Sequence, residues 1–234
     1  MIHPHTYIHP NAKLATNVKV DPFTVIHQNV EIGEGTWIGS NVTIMEGARI
    51  GKNCRIFPGA VLSASPQDLK FEEEDTIVEI GDNTTIREFV TIHRGTKDRW
   101  KTSVGKNCLI MAYSHLAHDC IIGDNCIMSN NTQIAGHVTI GDYAILAGMC
   151  AVHQFVKIGK YAFVAGGSLV SKDVPPYIKA GRTPLSYAGV NSIGLKRKGF
   201  SVEKINHILD IYRYIYNKGM NTTQAVQYIE EEFA

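Results

Sequence analysis

The sequence predicts a mainly β fold, a parallel β-helix of hexapeptide repeats closed at its C-terminal end by a small α-helical cap. The first observation is an aliphatic residue at every sixth position from Ile2 onward. Of the 29 positions with this spacing between residues 2 and 170, 26 are apolar. Neither a helix nor an alternating strand has a six-residue period, whereas hexapeptide repeats form short strands, three to a triangular coil of about 18 residues. The second observation is that apolar residues take helical spacing after Pro175 and Pro176.

A second column of residues supports the repeat. Outside its interruptions, the side chain four positions after each aliphatic residue is small or β-branched, from Thr6 to Val174. All five cysteines occupy this column: Cys54, Cys108, Cys120, Cys126 and Cys150. We therefore expect them to be small, buried fillers of the core rather than metal ligands or redox groups.

The three polar exceptions to the period, Asp68, Glu74 and Asp98, fall in two interruptions. We assign residues 1–178 to the β-helix, with loops at 63–79 and 97–103, and residues 179–234 to a C-terminal helical domain. There a helix is predicted to begin after the N-cap Ser201 and to end near Gly219, with a further helix over 222–233. Loops that leave a rigid scaffold commonly carry binding groups, and the helices would cover the last coil.

The composition excludes several classes of protein. The chain has 23 Lys and Arg against 22 Asp and Glu, so no basic surface predicts a nucleic-acid partner. No run approaches the roughly 18 apolar residues of a membrane span, and the start of the chain has no apolar secretory segment. Five cysteines without Cys-x-x-Cys spacing do not indicate a disulfide framework. We expect a cytoplasmic protein without stable membrane insertion.

Histidines supply the candidate chemistry. In coils of about 18 residues, His118 lies beneath Gly136 and Gly136 lies beneath Gln154. Asp119 lies beneath His137 in the same way. If the second loop inserts one hexapeptide, the coil below also contributes a histidine. The coils then bring the following residues to one face: His93, His118, Asp119, His137, His153 and Gln154.

Such a face suits the transfer of an acyl group to a hydroxyl. A neutral imidazole such as that of His118 can take the proton of an attacking alcohol near neutral pH. A carboxylate such as that of Asp119 can fix the imidazole tautomer. The backbone N–H of Gly136 can stabilise an oxyanion. Because no Ser or Cys is placed to form a covalent intermediate, direct attack on the activated acyl donor is favoured.

Several stretches containing these residues resemble a known family. They follow one another along almost the whole chain: Gln67–Lys70, Thr91–Thr96, His115–Cys120, Ala135–Val138, Ala151–Phe155, Asp173–Tyr177 and Gly194–Phe200. Together they resemble the UDP-N-acetylglucosamine O-acyltransferases of the hexapeptide-repeat transferase superfamily. The resemblance implies that the coils wind left-handed, which the periodicity alone does not show.

The resemblance also implies an activity and its partners. The expected reaction transfers a 3-hydroxyacyl chain from acyl carrier protein to the glucosamine 3-hydroxyl of UDP-N-acetylglucosamine, the first step of lipid A biosynthesis. The expected assembly is a homotrimer with its active sites between adjacent subunits. Neither a cofactor nor a metal is expected.

Roles for individual residues follow from the same resemblance. His118 would be the general base, Asp119 its orienting partner, and Gly136 the oxyanion donor. The sugar would also be held from the neighbouring subunit, by its Asp68 and Lys70. The pocket for the sugar and diphosphate would be lined by His93, His115, His137, His153 and Gln154. The nucleotide would be contacted by Asn191 and Arg197. The cluster around Arg197 is alternatively a contact for the acidic carrier protein.

Three features distinguish this chain within the resemblance. Ile193 stands where a carboxylate near the uracil is expected. The chain stops at Ala234, whereas relatives usually continue with further helical residues, so we expect a shortened cap. Gly166, followed by Gly167, matches the position that limits acyl length. Since a glycine gives no steric block, we expect a long acyl chain of roughly fourteen carbons or more.

Three alternatives remain at this point. One is another hexapeptide acyltransferase that uses acetyl-CoA. A second is a zinc-dependent trimer like the hexapeptide carbonic anhydrases, although His115 and His118 match that ligand pattern poorly. A non-catalytic scaffold is the third alternative, and it would have no need of a polar column through His118 and Gly136.

Overall fold

The computed structural model describes residues 1–217 and 219–232. Within them the chain forms a long series of short strands followed by three helices. The strands are β1 (Tyr7–Ile8), β2 (Lys13–Leu14), β3 (Lys19–Val20), β4 (Val25–Ile26), β5 (Glu31–Ile32), β6 (Trp37–Ile38), β7 (Thr43–Ile44), β8 (Ala48–Ile50), β9 (Arg55–Ile56), β10 (Val61–Ala64), β11 (Ile77–Ile80), β12 (Thr85–Ile86), β13 (Thr91–His93), β14 (Lys101–Val104), β15 (Leu109–Ile110), β16 (His115–Leu116), β17 (Ile121–Ile122), β18 (Ile127–Met128), β19 (Gln133–Ile134), β20 (Thr139–Ile140), β21 (Ile145–Leu146), β22 (Ala151–Val152), β23 (Lys157–Ile158), β24 (Phe163–Val164), β25 (Leu169–Val170), β26 (Ile178–Gly181) and β27 (Ser186–Val190). The helices are α1 (Ser192–Arg197), α2 (Val202–Asn217) and α3 (Thr222–Glu232).

The strands form three parallel sheets that make the three walls of a left-handed β-helix. The first sheet runs β1-β4-β7-β10-β13-β16-β19-β22-β25 and the second runs β2-β5-β8-β11-β14-β17-β20-β23. The third contains β3, β6, β9, β12, β15, β18, β21, β24 and β26, with β27 at its edge. Each coil therefore contributes one strand to each wall, and the predicted fold class is confirmed.

The aliphatic column lies inside the three walls. Leu116 pairs with Ile134 and Ile134 with Val152, so identical columns stack from coil to coil. Ile92, Leu116 and Ile134 are completely buried. The five cysteines are also buried, free thiols inside the coil. Burial raises the pKa of the Cys120 thiol to about 12, which fits the expected role as an unreactive filler.

Three corners join the walls, and each of them contains residues in the left-handed region. Corner I follows the first sheet, corner II the second and corner III the third. At corner I, Asp119, His137 and Phe155 have φ angles of 60°, 63° and 66°. This left-handed conformation is uncommon for residues other than glycine, although asparagine, aspartate and histidine adopt it more often than most. It turns the chain sharply and stacks these three side chains above one another.

Both loops leave the β-helix at corner I, between a strand of the first sheet and one of the second. The first loop spans residues 65–76, because β10 continues to Ala64 and β11 begins at Ile77. The second loop spans residues 94–100, because β14 begins at Lys101. The predicted bounds, 63–79 and 97–103, therefore included residues that pair in the sheets and placed the start of the second loop too late.

The C-terminal region is fastened to the last coil. β26 pairs in parallel with β24 and antiparallel with β27, a hairpin that the sequence pattern did not predict. Ser201 caps α2 through a 3.2 Å bond from Lys204 N to Ser201 Oγ, as predicted. The Tyr212 hydroxyl donates to the Pro176 carbonyl oxygen over 2.7 Å. The domain boundary at residue 178 stays a prediction. The last two residues of the chain lie outside the described residues. They include the end of the helix predicted over 222–233 and the position of the expected truncation.

Candidate active site

The polar column lies on corner I. His118 occupies the corner between β16 and β17, and Gly136 occupies the same position one coil above. Backbone bonds join successive coils: His137 N donates to His118 O over 3.1 Å and Phe155 N donates to Gly136 O over 3.1 Å. The coil register thus places a histidine, a glycine and an aromatic ring in consecutive layers.

His118 and Asp119 form the centre of the site. His118 Nδ1 lies 2.8 Å from Asp119 Oδ2, and the carboxylate is completely buried. Gly136 faces the same imidazole: a Cβ at this position would lie 2.8 Å from His118 Nε2. Among the described residues, no group accepts a hydrogen bond from the Gly136 N–H. Only a glycine therefore leaves space above His118, and its N–H stays available to a ligand.

The second loop completes the surroundings of Asp119. Thr96 N donates to Asp119 Oδ1 over 3.0 Å and Thr96 Oγ1 lies 2.7 Å from Asp119 Oδ2. Arg99 N donates to Oδ1 over 3.2 Å. Burial alone would raise the pKa of Asp119, but the bonds from His118 and Thr96 outweigh it and lower the pKa to about 2. Sequence reasoning did not assign Thr96 or Arg99 to the site. The break in the repeat was a signal for both, and Thr96 also ends the Thr91–Thr96 stretch that carries the family resemblance.

His137 lies beside His118 in the column. Its ring meets the His118 ring edge-on at 5.0 Å and stacks on Phe155 at 4.5 Å. His137 Nδ1 is 3.1 Å from Asp98 Oδ2, and its Nε2 is 3.9 Å from Asp119 Oδ2. Phe155 and Asp98 therefore orient this ring, and the sequence analysis had named neither of them as part of the site.

His115, in the coil of His118, and His93, in the coil below, form a second imidazole pair. Their rings meet edge-on at 4.6 Å, and His115 Nδ1 lies 2.7 Å from Thr91 Oγ1. Burial, reinforced by the positive charge available at His115 and His118, lowers the pKa of His93 to about 4. Burial and the charge of His118 also lower the pKa of His115. His93 Nδ1 is buried without a partner, so near neutral pH it is an uncharged group ready for a polar ligand.

His153 and Gln154 lie one coil above Gly136, at the exposed rim of corner I. His153 Nδ1 is 3.1 Å from the Gln154 carbonyl oxygen. They therefore share the corner of His118 without touching its ring.

The first loop brings Asp68 and Lys70 to the surface of the same corner. Lys70 N donates to Asp68 Oδ1 over 3.0 Å, and the Lys70 side chain is exposed. Arg94 fastens this loop, because it pairs with Glu73 at 3.2 Å and covers the Phe71 ring at 5.3 Å. Among the described residues, no contact joins Asp68 or Lys70 to the histidines.

The predicted nucleotide and acyl-chain residues lie on the other two corners. Asn191 precedes α1 beside corner II, where its Nδ2 donates to Tyr161 O over 3.0 Å and its Oδ1 accepts from Gly194 N over 3.3 Å. Asn191 thus caps α1 with its oxygen and fastens the start of α1 to the β-helix with its amide nitrogen. Arg197, at the end of α1, is exposed. Gly166 lies on corner III, where an added Cβ would be 3.1 Å from Gly148 O.

Comparison with known proteins identifies the family. The family model described as UDP-N-acetylglucosamine O-acyltransferase, domain 2, matches residues 173–234, and a bacterial transferase hexapeptide model matches 29–64 and 101–136. An acyl-[acyl-carrier-protein]–UDP-N-acetylglucosamine O-acyltransferase of Sulfurihydrogenibium sp. is 59% identical and covers 99% of this chain and 86% of its own length. Its counterpart in Chlorobium phaeobacteroides is 61% identical over 99% of this chain and 88% of its own length. This chain belongs to the UDP-N-acetylglucosamine O-acyltransferase family.

Solved structures agree with this assignment. The UDP-N-acetylglucosamine acyltransferase from Bacteroides fragilis superposes with a TM-score of 0.99 at 50% identity, covering all of this chain and 92% of that one. The Arabidopsis UDP-N-acetylglucosamine acyltransferase superposes with a TM-score of 0.81 at 34% identity, covering 99% of this chain and 90% of that one. The protein is therefore an acyltransferase, and its fold is that of its family.

Three groups of the active site are potential metal ligands. The ligating atoms of His118, Asp119 and His137 lie within 4.8 Å of one another. However, both oxygens of Asp119 already accept hydrogen bonds, so a metal would have to displace the donors.

Within residues 1–217 and 219–232, no helix has the length and apolar character needed to span a membrane.

The acyltransferase should lose stability in mild acid because of His93. Its pKa is about 4 in the folded chain and about 6.5 when unfolded, so the unfolded chain binds more protons between these pH values and stability rises with pH there. Across this pH interval the free energy of unfolding changes by about 3 kcal/mol at most. We expect the thermal midpoint of wild type to fall from pH 7 to pH 4.5 more steeply than that of His93→Gln. Parallel curves for the two proteins would contradict this account.

Proposed function

We propose that this chain transfers a 3-hydroxyacyl group from acyl carrier protein to the glucosamine 3-hydroxyl of UDP-N-acetylglucosamine, the first step of lipid A biosynthesis. The observation that carries the proposal is the His118–Asp119 pair, 2.8 Å apart, beneath the unpartnered N–H of Gly136. The relatives are named for this activity. We also propose a cytoplasmic location, with no nucleic-acid partner and no cofactor.

The pair supplies a proton acceptor at the right atom. Asp119 holds Nδ1 of His118, so Nε2 is the nitrogen that faces the space below Gly136. In the proposed reaction Nε2 takes the proton of the sugar hydroxyl as its oxygen attacks the acyl carbonyl carbon. The carbon–sulfur bond to the carrier then breaks, and His118 returns the proton to the departing thiolate. A new ester and a free carrier thiol are the products.

Other groups at and near corner I bind the substrates and stabilise the tetrahedral intermediate. The Gly136 N–H donates to the oxyanion of the tetrahedral intermediate, where a positioned donor is worth most. His93 and His115, which their lowered pKa values keep neutral near pH 7, offer hydrogen bonds to sugar hydroxyls. We assign His137, His153, Gln154, Asp68 and Lys70 to the remaining sugar and diphosphate contacts.

The separation of these groups supports the homotrimer that the resemblance implies. His118 lies on corner I, Arg197 beside corner II and Gly166 on corner III, and the three corners of one coil face away from one another. One ligand therefore meets all three groups only between subunits. We propose that Arg197 binds the nucleotide phosphate of a neighbouring subunit through charge-assisted bonds, with Asn191 holding α1 in place.

A zinc hydratase is the second candidate, because three potential ligand atoms lie within 4.8 Å of one another. Those atoms belong to His118, Asp119 and His137, and not to the His115–His118 pair considered from the sequence. We favour the acyltransferase reaction, since the Asp119 oxygens already accept hydrogen bonds from Thr96, Arg99 and His118.

The reaction and its base can be tested together. We expect mass spectrometry of UDP-N-acetylglucosamine, incubated with a mixture of 3-hydroxyacyl carrier proteins, to show one dominant acylated product. His118→Ala should lower its rate by about 100-fold or more, and chelation of metals should leave wild type unchanged. Product from the variant at the wild-type rate would exclude His118 as the base. Loss of product on chelation would favour the zinc site, and product from acetyl-CoA instead would indicate the other acyltransferase class.

Shared sites can be tested by mixing two inactive variants. His118→Ala and Arg197→Ala subunits, coexpressed with different tags, should form mixed trimers in which one site keeps both residues. Random assembly then restores about a quarter of wild-type activity. Activity no higher than that of the two separate variants would show that His118 and Arg197 serve one site from the same subunit, or do not serve one site at all.

Gly166 should set the acyl length. A side chain at this position would project from corner III, where its Cβ already lies 3.1 Å from Gly148 O. We propose that wild type prefers donors of roughly fourteen carbons or more, and that Gly166→Met shifts the preference to shorter donors, since each buried methylene is worth about 0.8 kcal/mol. The same donor mixture measures both proteins, and an unchanged product distribution would contradict the proposal.

A further inference from the structure

The second loop, residues 94–100, surrounds the Asp119 carboxylate with hydrogen-bond donors. Oδ1 accepts from Thr96 N and Arg99 N, and Oδ2 accepts from Thr96 Oγ1 and His118 Nδ1. An ionised carboxylate has about four lone-pair sites, so the donors occupy them all. Three of the four come from the loop, which is an insertion within one coil, at corner I, and not part of the repeat.

A backbone group sets the direction of the hydroxyl bond. Asp98 N donates to Thr96 Oγ1 over 3.3 Å, so the hydroxyl's own proton is directed to Asp119 Oδ2. Asp119 is then an acceptor toward every neighbour. His118 must therefore carry its proton on Nδ1, which leaves Nε2 with a free lone pair.

The loop also fixes the backbone of Asp119. The Arg99 guanidinium donates from Nη1 to the Asp119 carbonyl oxygen over 2.8 Å. Asp119 N donates to Thr102 Oγ1 over 2.8 Å. These bonds hold a residue whose φ of 60° is unusual for an aspartate in a regular element. The carboxylate therefore has one orientation, defined from both its backbone and its side chain.

We propose that Thr96 is a positioning residue of the reaction: its hydroxyl and N–H keep Asp119 an acceptor, which holds His118 in the Nδ1–H tautomer with Nε2 free to take the substrate proton. The proposal rests on the acyltransferase function proposed above and adds to it the group that selects the competent form of the base. Thr96 is 8% exposed and lies behind Asp119, so its effect reaches the substrate through Asp119 and His118.

The depressed pKa of Asp119 supports this role. Burial raises the pKa of a carboxyl group, yet this one is lowered to about 2 by the bonds from His118 and Thr96. Without the Thr96 hydroxyl, burial acts against fewer donors and the pKa of Asp119 rises. Oδ2 would then accept from His118 alone, and a carboxylate held by fewer bonds can turn away from Nδ1 and select the Nδ1–H tautomer less strictly.

The test compares Thr96→Val with Thr96→Ser in the full-length protein. Valine keeps the size and the backbone N–H but loses the hydroxyl, whereas serine keeps both donors. We expect Thr96→Val to lower kcat roughly 10- to 100-fold with the KM for UDP-N-acetylglucosamine nearly unchanged, and Thr96→Ser to stay within about threefold of wild type. Thermal melting checks folding, and Thr96→Ala, which adds no methyl group against its neighbours, replaces the valine variant if that one melts early.

A spectroscopic readout separates positioning from packing. Nitrogen-15 NMR of the imidazoles should show His118 protonated on Nδ1 in wild type and in Thr96→Ser, and a mixture of tautomers in Thr96→Val. The acid limb of the kcat/KM profile should also move to higher pH in Thr96→Val. Full activity of Thr96→Val, an equal loss in Thr96→Ser, or an unchanged His118 tautomer in a slow Thr96→Val would each overturn the proposal. If wild type itself forms no product, the proposed function fails, while the NMR comparison still decides the role of Thr96.

Discussion

Hydrogen bonds between the backbones of successive coils are the interaction on which the rest of the structure depends. Ala117 N donates to Ile134 O and Ala135 N donates to Val152 O, each to the coil above. Such bonds hold residues of different coils in one register, so side chains far apart in sequence share a column. Because the aliphatic side chains stack inward in this register, the corner residues between them have little freedom. The geometry of the site is therefore set by the register of the three walls.

The same corner maintains opposite charge states in neighbouring groups. Asp119 is buried and charged, since donors from His118 and Thr96 overcome the effect of burial on its pKa. His93 is buried in the coil below and neutral, since burial dominates its pKa. Hydrogen-bond donors thus determine the charge of Asp119, and desolvation determines the charge of His93. The site therefore has a fixed anion that orients His118 and, one coil below, an uncharged imidazole that can bind a polar ligand.

The walls and the polar column were predictable because a regular repeat assigns each residue to a wall or a corner of its coil. Once Ile2, Ile8 and their successors define six-residue units, His118, Gly136 and Gln154 must share a corner. The loops and the C-terminal region have no period, so nothing in the sequence pattern placed Thr96 and Arg99 beside Asp119. The bounds of the second loop were misplaced for the same reason. The β26–β27 hairpin and α1 also escaped, because only pairing with the last coil and capping by Asn191 stabilise such short elements.

The left-handed corner at Asp119, His137 and Phe155 also has a thermodynamic consequence. Most residues lose about 1 kcal/mol or more in this conformation, whereas glycine, asparagine and aspartate tolerate it better. Corner II uses Asn83, Asn107 and Asn125 in its lower coils and Tyr143 and Tyr161 in the coils of His137 and Phe155. The backbone cost at corner I therefore falls mainly on His137 and Phe155, the two rings that stack above Asp119. Asparagine at either position would relieve this cost and would remove a ring from the column.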